Sequence, residues 1–232
     1  MDKLHLDQHI SRSFNDELEQ IKTRMLEMGG RVENQVADAV RALEDADSQL
    51  AETVINRELA IDALEMEIDE DCTTLIARRQ PAATDLRMVM AVTKTIRDLE
   101  RMGDEAKKIA KMAIKLSEEG SAPRGYVEIR HIANGVRKML NDTLDAFTRY
   151  DADSALATLR ADDQVDLDYK TALRELVTYM MEDPRSISRV MNIMWALRSL
   201  ERIGDHAKNI CEQVVYLVRG KDIRHGNADR LG

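Results

Sequence analysis

The sequence is poor in the residues that interrupt or cross-link a chain. Three prolines and ten glycines in 232 residues leave few places to stop a regular element, which excludes a fold of many short strands and turns. Aromatic residues make up only 3%, namely two Phe, one Trp and five Tyr. The core must then be built from Leu, Ile, Val, Ala and 13 Met, which suits helix-on-helix packing better than a sandwich or barrel. The two cysteines, Cys72 and Cys211, lie in unrelated contexts without a CxxC, so no disulfide framework is expected and the thiols point to a reducing, cytoplasmic setting. A run of about 18 apolar residues is absent, and MDKLHLDQHISRSF at the N-terminus lacks the apolar core of a signal peptide. Membrane contact is therefore expected only through partners. Positive charge is also short: 34 basic against 43 acidic side chains give −9, which argues against general affinity for nucleic acid or anionic lipid.

What the chain has in quantity is good helix formers, and it is 33% charged. The expected fold class is all-α. Apolar residues at helical spacing define six amphipathic segments near 11–45, 48–79, 82–118, 125–149, 153–181 and 185–219. The breaks between them are DADS at 45–48, Gln80-Pro81, GSAPRG at 120–125, DADS at 151–154 and Asp183-Pro184. Each proline sits where a helix would begin and its missing N–H costs least.

The chain also repeats itself. Residues 97–109 and 198–210 share nine identities in thirteen positions, among them Leu99/Leu200, Glu100/Glu201, Gly103/Gly204 and Asp104/Asp205. DADSQLA at 45–51 and DADSALA at 151–157 form a second echo. The offsets are 101 and 106, so the halves are expected to differ by about one helical turn between the two echoes. Two similar three-helix bundles follow, residues 1–119 and 120–232 with the boundary in the 119–125 loop, related by approximate two-fold symmetry.

Within the third segment Leu99, Met102, Ala106, Ile109, Ala113 and Leu116 recur at spacings of 3 and 4, and Leu200, Ile203, Ala207, Ile210, Val214 and Leu217 match them. This seam turns Glu100 and Asp104 away from the core. Like charges at i and i+4 cost a few tenths of a kcal/mol, and a mid-helix glycine costs up to about 1 kcal/mol against alanine. The same conflict recurs at Glu201, Gly204 and Asp205 and asks for an offset: a bound cation, or the close approach of another backbone. Beside the stripe Ile61, Leu64 and Ile68, the second segment carries Asp62, Glu65 and Asp69 on one flank. At the 101 offset, Asp62 and Glu65 fall on Asp163 and Asp166, with Asp162 beside them. Ten carboxylates are thus candidate metal ligands: Asp62, Glu65, Asp69, Glu100, Asp104, Asp162, Asp163, Asp166, Glu201 and Asp205. An all-oxygen set suits hard cations such as Mg²⁺, Mn²⁺, Ca²⁺ or oxidised iron. The bland alternative is a solvated ion-pair face with the repeated bases Arg97, Arg101 and Lys107; the repeated arginines Arg97, Arg101, Arg198 and Arg202 are candidate partner-binding residues.

Other motifs carry less. No nucleophile motif, Gly-rich phosphate loop or dinucleotide fingerprint appears. Glu128-Ile-Arg-His131 is a lone ExxH, whereas a di-iron bundle enzyme needs a pair facing inward. His5 and His9 read as an exposed turn rather than a metal site, and Arg78 and Arg79 as helix-end charges.

The doubled LERxGDxAxxI, present as LERMGDEAKKI at 99–109 and LERIGDHAKNI at 200–210, resembles the PhoU family of phosphate-uptake regulators. IDEDCTTLIARRQPAATDLRMVM at 68–90, YMMEDPRSI at 179–187 and KDIRHG at 221–226 extend the resemblance over the whole chain. It implies a cytoplasmic, non-catalytic negative regulator of the phosphate-starvation response, a homo-oligomer in dimer form. Its implied partners are the ATPase subunit of the phosphate ABC transporter and the sensor histidine kinase PhoR. In some members of that family E/D-xxx-D motifs bind metal clusters, and the resemblance carries this expectation to Glu100/Asp104, Glu201/Asp205, Glu65/Asp69 and Asp162/Asp166. Two rival readings remain: a metal-binding protein with an indirect regulatory link, and a carboxylate-bridged metalloenzyme.

Overall fold

The computed structural model describes residues 12–119 and 126–223; the expected boundary loop at 120–125, His5, His9 and the last residues of KDIRHG lie outside them. Six helices follow in order: α1 (Arg12–Asp45), α2 (Ser48–Arg79), α3 (Ala83–Glu118), α4 (Tyr126–Arg149), α5 (Ala152–Glu182) and α6 (Ile187–Arg219). A short 3₁₀ turn, Pro184–Ser186, precedes α6. The expected segments are recovered to within two residues at every end.

Local chemistry sets the breaks. Asp47 caps α2 by accepting from the Leu50 N–H, and Asp151 caps α5 by accepting from the N–H groups of Asp153 and Ser154. Before each cap the backbone turns through the left-handed region, at Ala46 (φ 53°) and Tyr150 (φ 55°). These matched features place α4–α5 on α1–α2 at an offset of 104. The DADS echo at 106 is therefore two residues out of register: the capping residue is the second aspartate of the first copy and the first aspartate of the second. The α3 and α6 helices keep the 101 offset of their shared motif, so the path from helix start to motif is three residues shorter in α6 than in α3.

Each half is a three-helix bundle, and the halves join along two antiparallel helix pairs. Asp98 with Asn209, Glu105 with Arg202 and Glu119 with Ser188 fix the α3–α6 register. Glu44 with Arg130 and Glu33 with Asn141 fix that of α1–α4. Both registers are preserved by an internal two-fold axis that passes beside Gly103 and Gly204 in one pair and beside Gln35 and Met139 in the other. At the α1–α4 crossing Gly29 admits Leu144: a Cβ there would sit 2.6 Å from Leu144 Cδ2, closer than packed carbons approach. The α2 and α5 helices stand on the outer flanks and do not touch each other.

The core runs unbroken through both halves, from Met25, Met28 and Val32 on α1 to Leu200, Ile203 and Ile210 on α6. Cys72 and Cys211 are buried, free thiols; burial pushes them up to about 11 and about 12, which makes them inert. No described helix is long and apolar enough to cross a membrane.

Candidate functional site

The acids fall in two clusters, one at the α2–α3 seam and one at the α5–α6 seam. In the first, α2 contributes Glu58, Asp62 and Glu65 and α3 contributes Glu100 and Asp104. One oxygen each from Glu58, Asp62 and Glu100 lie within 4.8 Å of one another, the spacing a single hard cation can bridge. Glu58 is 1% exposed and is held by the Lys107 ammonium. Burial pushes the Glu58 carboxyl up, and Asp104 and Asp62 push it further, against the pull of Lys107. Glu100 is also raised, by burial first and by Asp104 next, with Asp62 and Glu65 adding to it. Lys107 is itself raised by its bond to Glu58. Five carboxylates crowded at one partly buried seam are a store of repulsion that a multivalent cation would relieve.

Glu58 is the residue the sequence reading passed over, and its signal was present. The seam of α2 runs Ala51, Val54, Glu58, Ile61, Glu65, Ile68, Cys72 and Leu75 at alternating spacings of 3 and 4, all buried except half-buried Glu65. Glu58 thus occupies a core position, where a carboxylate is retained only with a partner. The stripe read through Leu64 sat off this seam, and Leu64 is only partly buried.

The second cluster holds Asp162, Asp166, Glu201 and Asp205. At the observed 104 register Asp162 replaces Glu58 and Asp166 replaces Asp62, which corrects the expected pairing of Asp62 and Glu65 with Asp163 and Asp166. Asp162 is buried and accepts from Lys208 Nζ at 2.7 Å, as Glu58 does from Lys107. Asp205 is raised by burial and by the charges of Asp162 and Asp166; Glu201 is raised by burial and by Asp205. Oε2 of Glu201 is buried with no hydrogen-bond partner, an orphaned lone pair facing the seam's own acids. The two clusters differ in their cations. Arg198 binds Glu201 at 2.8 Å and Lys170 lies 3.6 Å from Asp166, and Tyr169 stands where the first half has Glu65. Among the described residues no three ligand oxygens converge here as they do in the first half. Asp69, one turn past Glu65, and Asp163, turned off the seam that holds its neighbour Asp162, are exposed and lie outside both convergences.

The expected outward face of Glu100 and Asp104 is only partly outward. The α3 helix packs on α1, α2 and α6, so the flank opposite its seam is covered by other helices. The side chain of Glu100 keeps 24% exposure and that of Glu201 12%, and Glu105, one residue past Asp104, is buried against α6. The glycines serve the close approach: a Cβ at Gly103 would meet Ile61 Cδ1 at 3.3 Å, and one at Gly204 would meet Asp162 Oδ1 at 3.6 Å. Both therefore face the α2 or α5 helix that carries the acids.

The arginines divide as well. Arg97, Arg101 and Arg198 are exposed, with Arg101 3.4 Å from Glu100. Arg202 instead reaches across the two-fold to buried Glu105 at 2.9 Å, which also accepts from Lys108 at 2.9 Å. His206, where the repeat has Glu105, bonds Asp98 at 2.8 Å, and Asn209 donates to the same oxygen at 3.0 Å.

The fold and these clusters define a tandem helical-bundle protein with a duplicated carboxylate site between helices. Two copies of the PhoU domain match, over residues 25–113 and 129–214, and the chain belongs to the PhoU family. It is 59% identical over 231 residues to the phosphate-specific transport system accessory protein PhoU homolog of Pseudomonas aeruginosa, covering 100% of this chain and 96% of that one. It is 46% identical to the PhoU of Escherichia coli K12, covering 100% and 95%. Among solved structures, PhoU from Pseudomonas aeruginosa superposes with a TM-score of 0.88 at 62% identity, over 90% of this chain and 100% of that one. The phosphate transport system regulatory protein PhoU from Streptococcus pneumoniae superposes with a TM-score of 0.84 at 32% identity, over 90% and 98%.

Proposed function

We propose that this chain is a non-enzymatic negative regulator of the phosphate-starvation response and of high-affinity phosphate uptake. It acts in the cytoplasm, as a dimer, as an adaptor between the ATPase subunit of the phosphate ABC transporter and the sensor histidine kinase PhoR. The observation that carries this reading is the unbroken match, at 59% identity, to a phosphate-specific transport system accessory protein. The chemistry agrees with an adaptor: buried Glu58 and Asp162 are locked into ion pairs with Lys107 and Lys208 of the neighbouring helix, an arrangement for holding helices together rather than for turning over substrate.

The carboxylate sets fit a hard cation, Mg²⁺, Mn²⁺, Ca²⁺ or oxidised iron. Glu58, Asp62 and Glu100, with Glu65 and Asp104 beside them, would hold it in the first half; Asp162, Asp166, Glu201 and Asp205 would do so in the second. The ion would supply positive charge that ties α2 to α3 and α5 to α6. The first site is the tighter one, because its oxygens already converge and fewer protein cations compete. A metal-binding protein with only an indirect regulatory link is the second reading, favoured by the convergence at Glu58.

The test is a strain lacking the gene, scored with a phosphate-starvation reporter in high phosphate. Repression restored by the wild-type chain, and by a chain whose Glu100 and Asp104 are both alanine, separates the adaptor role from the metal. Reporter activity that ignores the presence of the chain sinks the regulatory reading. Metal content per chain, by mass spectrometry of chelator-free protein, decides the cation: a wild type that stays metal-free after addition of Mn²⁺, Mg²⁺ or Fe³⁺ removes it.

A further inference from the structure

Trp195, the single tryptophan of the chain, is 57% exposed. It lies on one face of α6 with Ile187 and Met191 before it, both exposed, and with Arg198 and Arg202 after it. The spacings are 4, 4, 3 and 4, so the five side chains form one stripe, apolar at its N-terminal end and cationic at its C-terminal end. The internal two-fold repeats it on α3 as Leu86, Met90, Lys94, Arg97 and Arg101, with Leu86 and Met90 again exposed. Scattered surface apolar residues need no account, but the same apolar-then-basic pattern kept exposed in both halves is not scatter.

We propose that the α6 stripe is the docking surface for an amphipathic helix of a partner protein, one that sets acidic residues beside its apolar face. The eight steps from Ile187 to Trp195 span about 12 Å of helix, the length over which a docked helix offers anchors at i, i+4 and i+7. Tryptophan and arginine are the side chains that most often dominate such contacts. The charge is complementary to acid and not to more base. Glu105 accepts from both Lys108 and Arg202, which brings Lys108 beside the stripe. The two-fold sets Lys111 there as it sets Glu212 in the cleft beside Lys94 and Arg97. Around Trp195 four cations, Arg198, Arg202, Lys108 and Lys111, face the two carboxylates Glu105 and Glu201. The pairs with Glu201 and Glu105 hold the two guanidinium groups in place before a partner arrives, which lowers the ordering cost of docking. The chain's net charge of −9 disfavours an anionic membrane as the occupant.

The halves are unequal in this respect. On α3 the position of Trp195 is Lys94, drawn over the Tyr216 ring at 5.5 Å, and Glu212 and Asp98 line the cleft beside it. The α6 stripe is accordingly the stronger site and the α3 stripe a weaker copy.

This inference rests on the adaptor reading, and the test keeps the two apart. A photo-crosslinking phenylalanine is placed at Met191, with Ile187 as a second position and exposed Leu59 on α2 as the control, in cells whose phosphate reporter is read in parallel. The expected product joins α6 to a segment of another protein that reads as an amphipathic helix with acids beside its apolar face. Its yield should fall about tenfold in Trp195→Ala, the loss expected of a truncated anchor, and fall in Lys111→Glu. Products with a second copy of this chain, with lipid or with a segment lacking that pattern overturn the proposal, as does a yield no greater than from Leu59. If that happens while the reporter stays repressed, the surface is wrong and the adaptor role stands; a reporter that never depended on the chain removes the adaptor role itself.

Discussion

Replacing Lys107 by methionine would keep most of the side chain's length and remove the ammonium that Glu58 depends on. Glu58 keeps 1% of its surface, while the Lys107 side chain keeps 28%. Removing one partner of a fully buried pair costs about 3–5 kcal/mol; the partial exposure of Lys107 brings the expected loss down to about 2–3 kcal/mol, near the upper range for a charged hydrogen bond. For a chain of this length that is about 5–10 °C in melting temperature. The assay is thermal unfolding by circular dichroism in chelator, at pH 7.5, for wild type, Lys107→Met, Glu58→Gln and the double variant. The double variant should recover at least half of the loss, since it leaves no buried charge behind. Added Mn²⁺ should narrow the gap for Lys107→Met more than for Glu58→Gln, because the ion replaces the missing positive charge only where the carboxylate remains. A loss under about 1 kcal/mol for the single variant, or no recovery in the double, would refute the argument that Glu58 is held in the core by Lys107.

Three further outcomes are expected. Burial raises Glu58, Glu100, Glu201 and Asp205, so the folded chain binds more protons than the unfolded one from about pH 4 up to their raised values. Metal-free protein should therefore lose stability as pH climbs through that window, while the lowered Glu17 and Asp151 act oppositely below it. Melting temperatures in chelator at pH 5.5 and pH 8 check this, and a higher value at pH 8 would contradict it. Arg202→Glu should destabilise by about 2 kcal/mol or more, since it sets a second acid against buried Glu105, whereas Arg101→Glu at the exposed equivalent should stay within about 0.5 kcal/mol; denaturant titration distinguishes them, and equal effects would show that the Glu105 tie is not structural. Asp47→Ala and Asp151→Ala should each cost about 1 kcal/mol as lost caps, with Asp45→Ala and Asp153→Ala near neutral despite the identical DADS string, and the reverse order would return the register to 106.

How much of this could be read from the residues varies with the kind of signal. Helix ends were legible because Pro81, Pro184 and the aspartate caps act locally. The tandem fold was legible because LERxGDxAxxI is long enough for its repetition to exceed chance. The DADS string misled because four letters fix a composition but not a backbone register; the left-handed turn at Ala46 and Tyr150 does, and it leaves no mark on those side chains. Glu58 was hidden by the habit of treating a seam as apolar, although the 3-4 spacing through Ala51, Val54 and Ile61 ran directly over it. Arg202 and Glu105 depend on how the two halves meet, which is set by side chains 97 residues apart and carries no local periodicity.

The two-fold turns each difference between the halves into a controlled comparison made by the chain on itself. The same backbone holds Glu58 with Lys107 in one half and Asp162 with Lys208 in the other, so this buried pair belongs to the shared scaffold. What differs is laid around it. The first half adds Glu65 and converging oxygens; the second adds Lys170, an arginine locked on Glu201, and a bare tryptophan one turn away on the same helix. Charge neutralised from within the protein lowers the advantage of a cation and leaves a surface set for another chain. On the proposed reading the first half therefore carries the ion-dependent stiffness of the molecule and the second its contact with a partner. Exchanging Tyr169 for Glu and Lys170 for Ala together should shift the second half toward the first, raising the number of metal ions bound per chain without loss of folding. An unchanged metal count in that variant would mean that something other than local charge, such as the approach of α5 to α6 at Gly204, sets the difference.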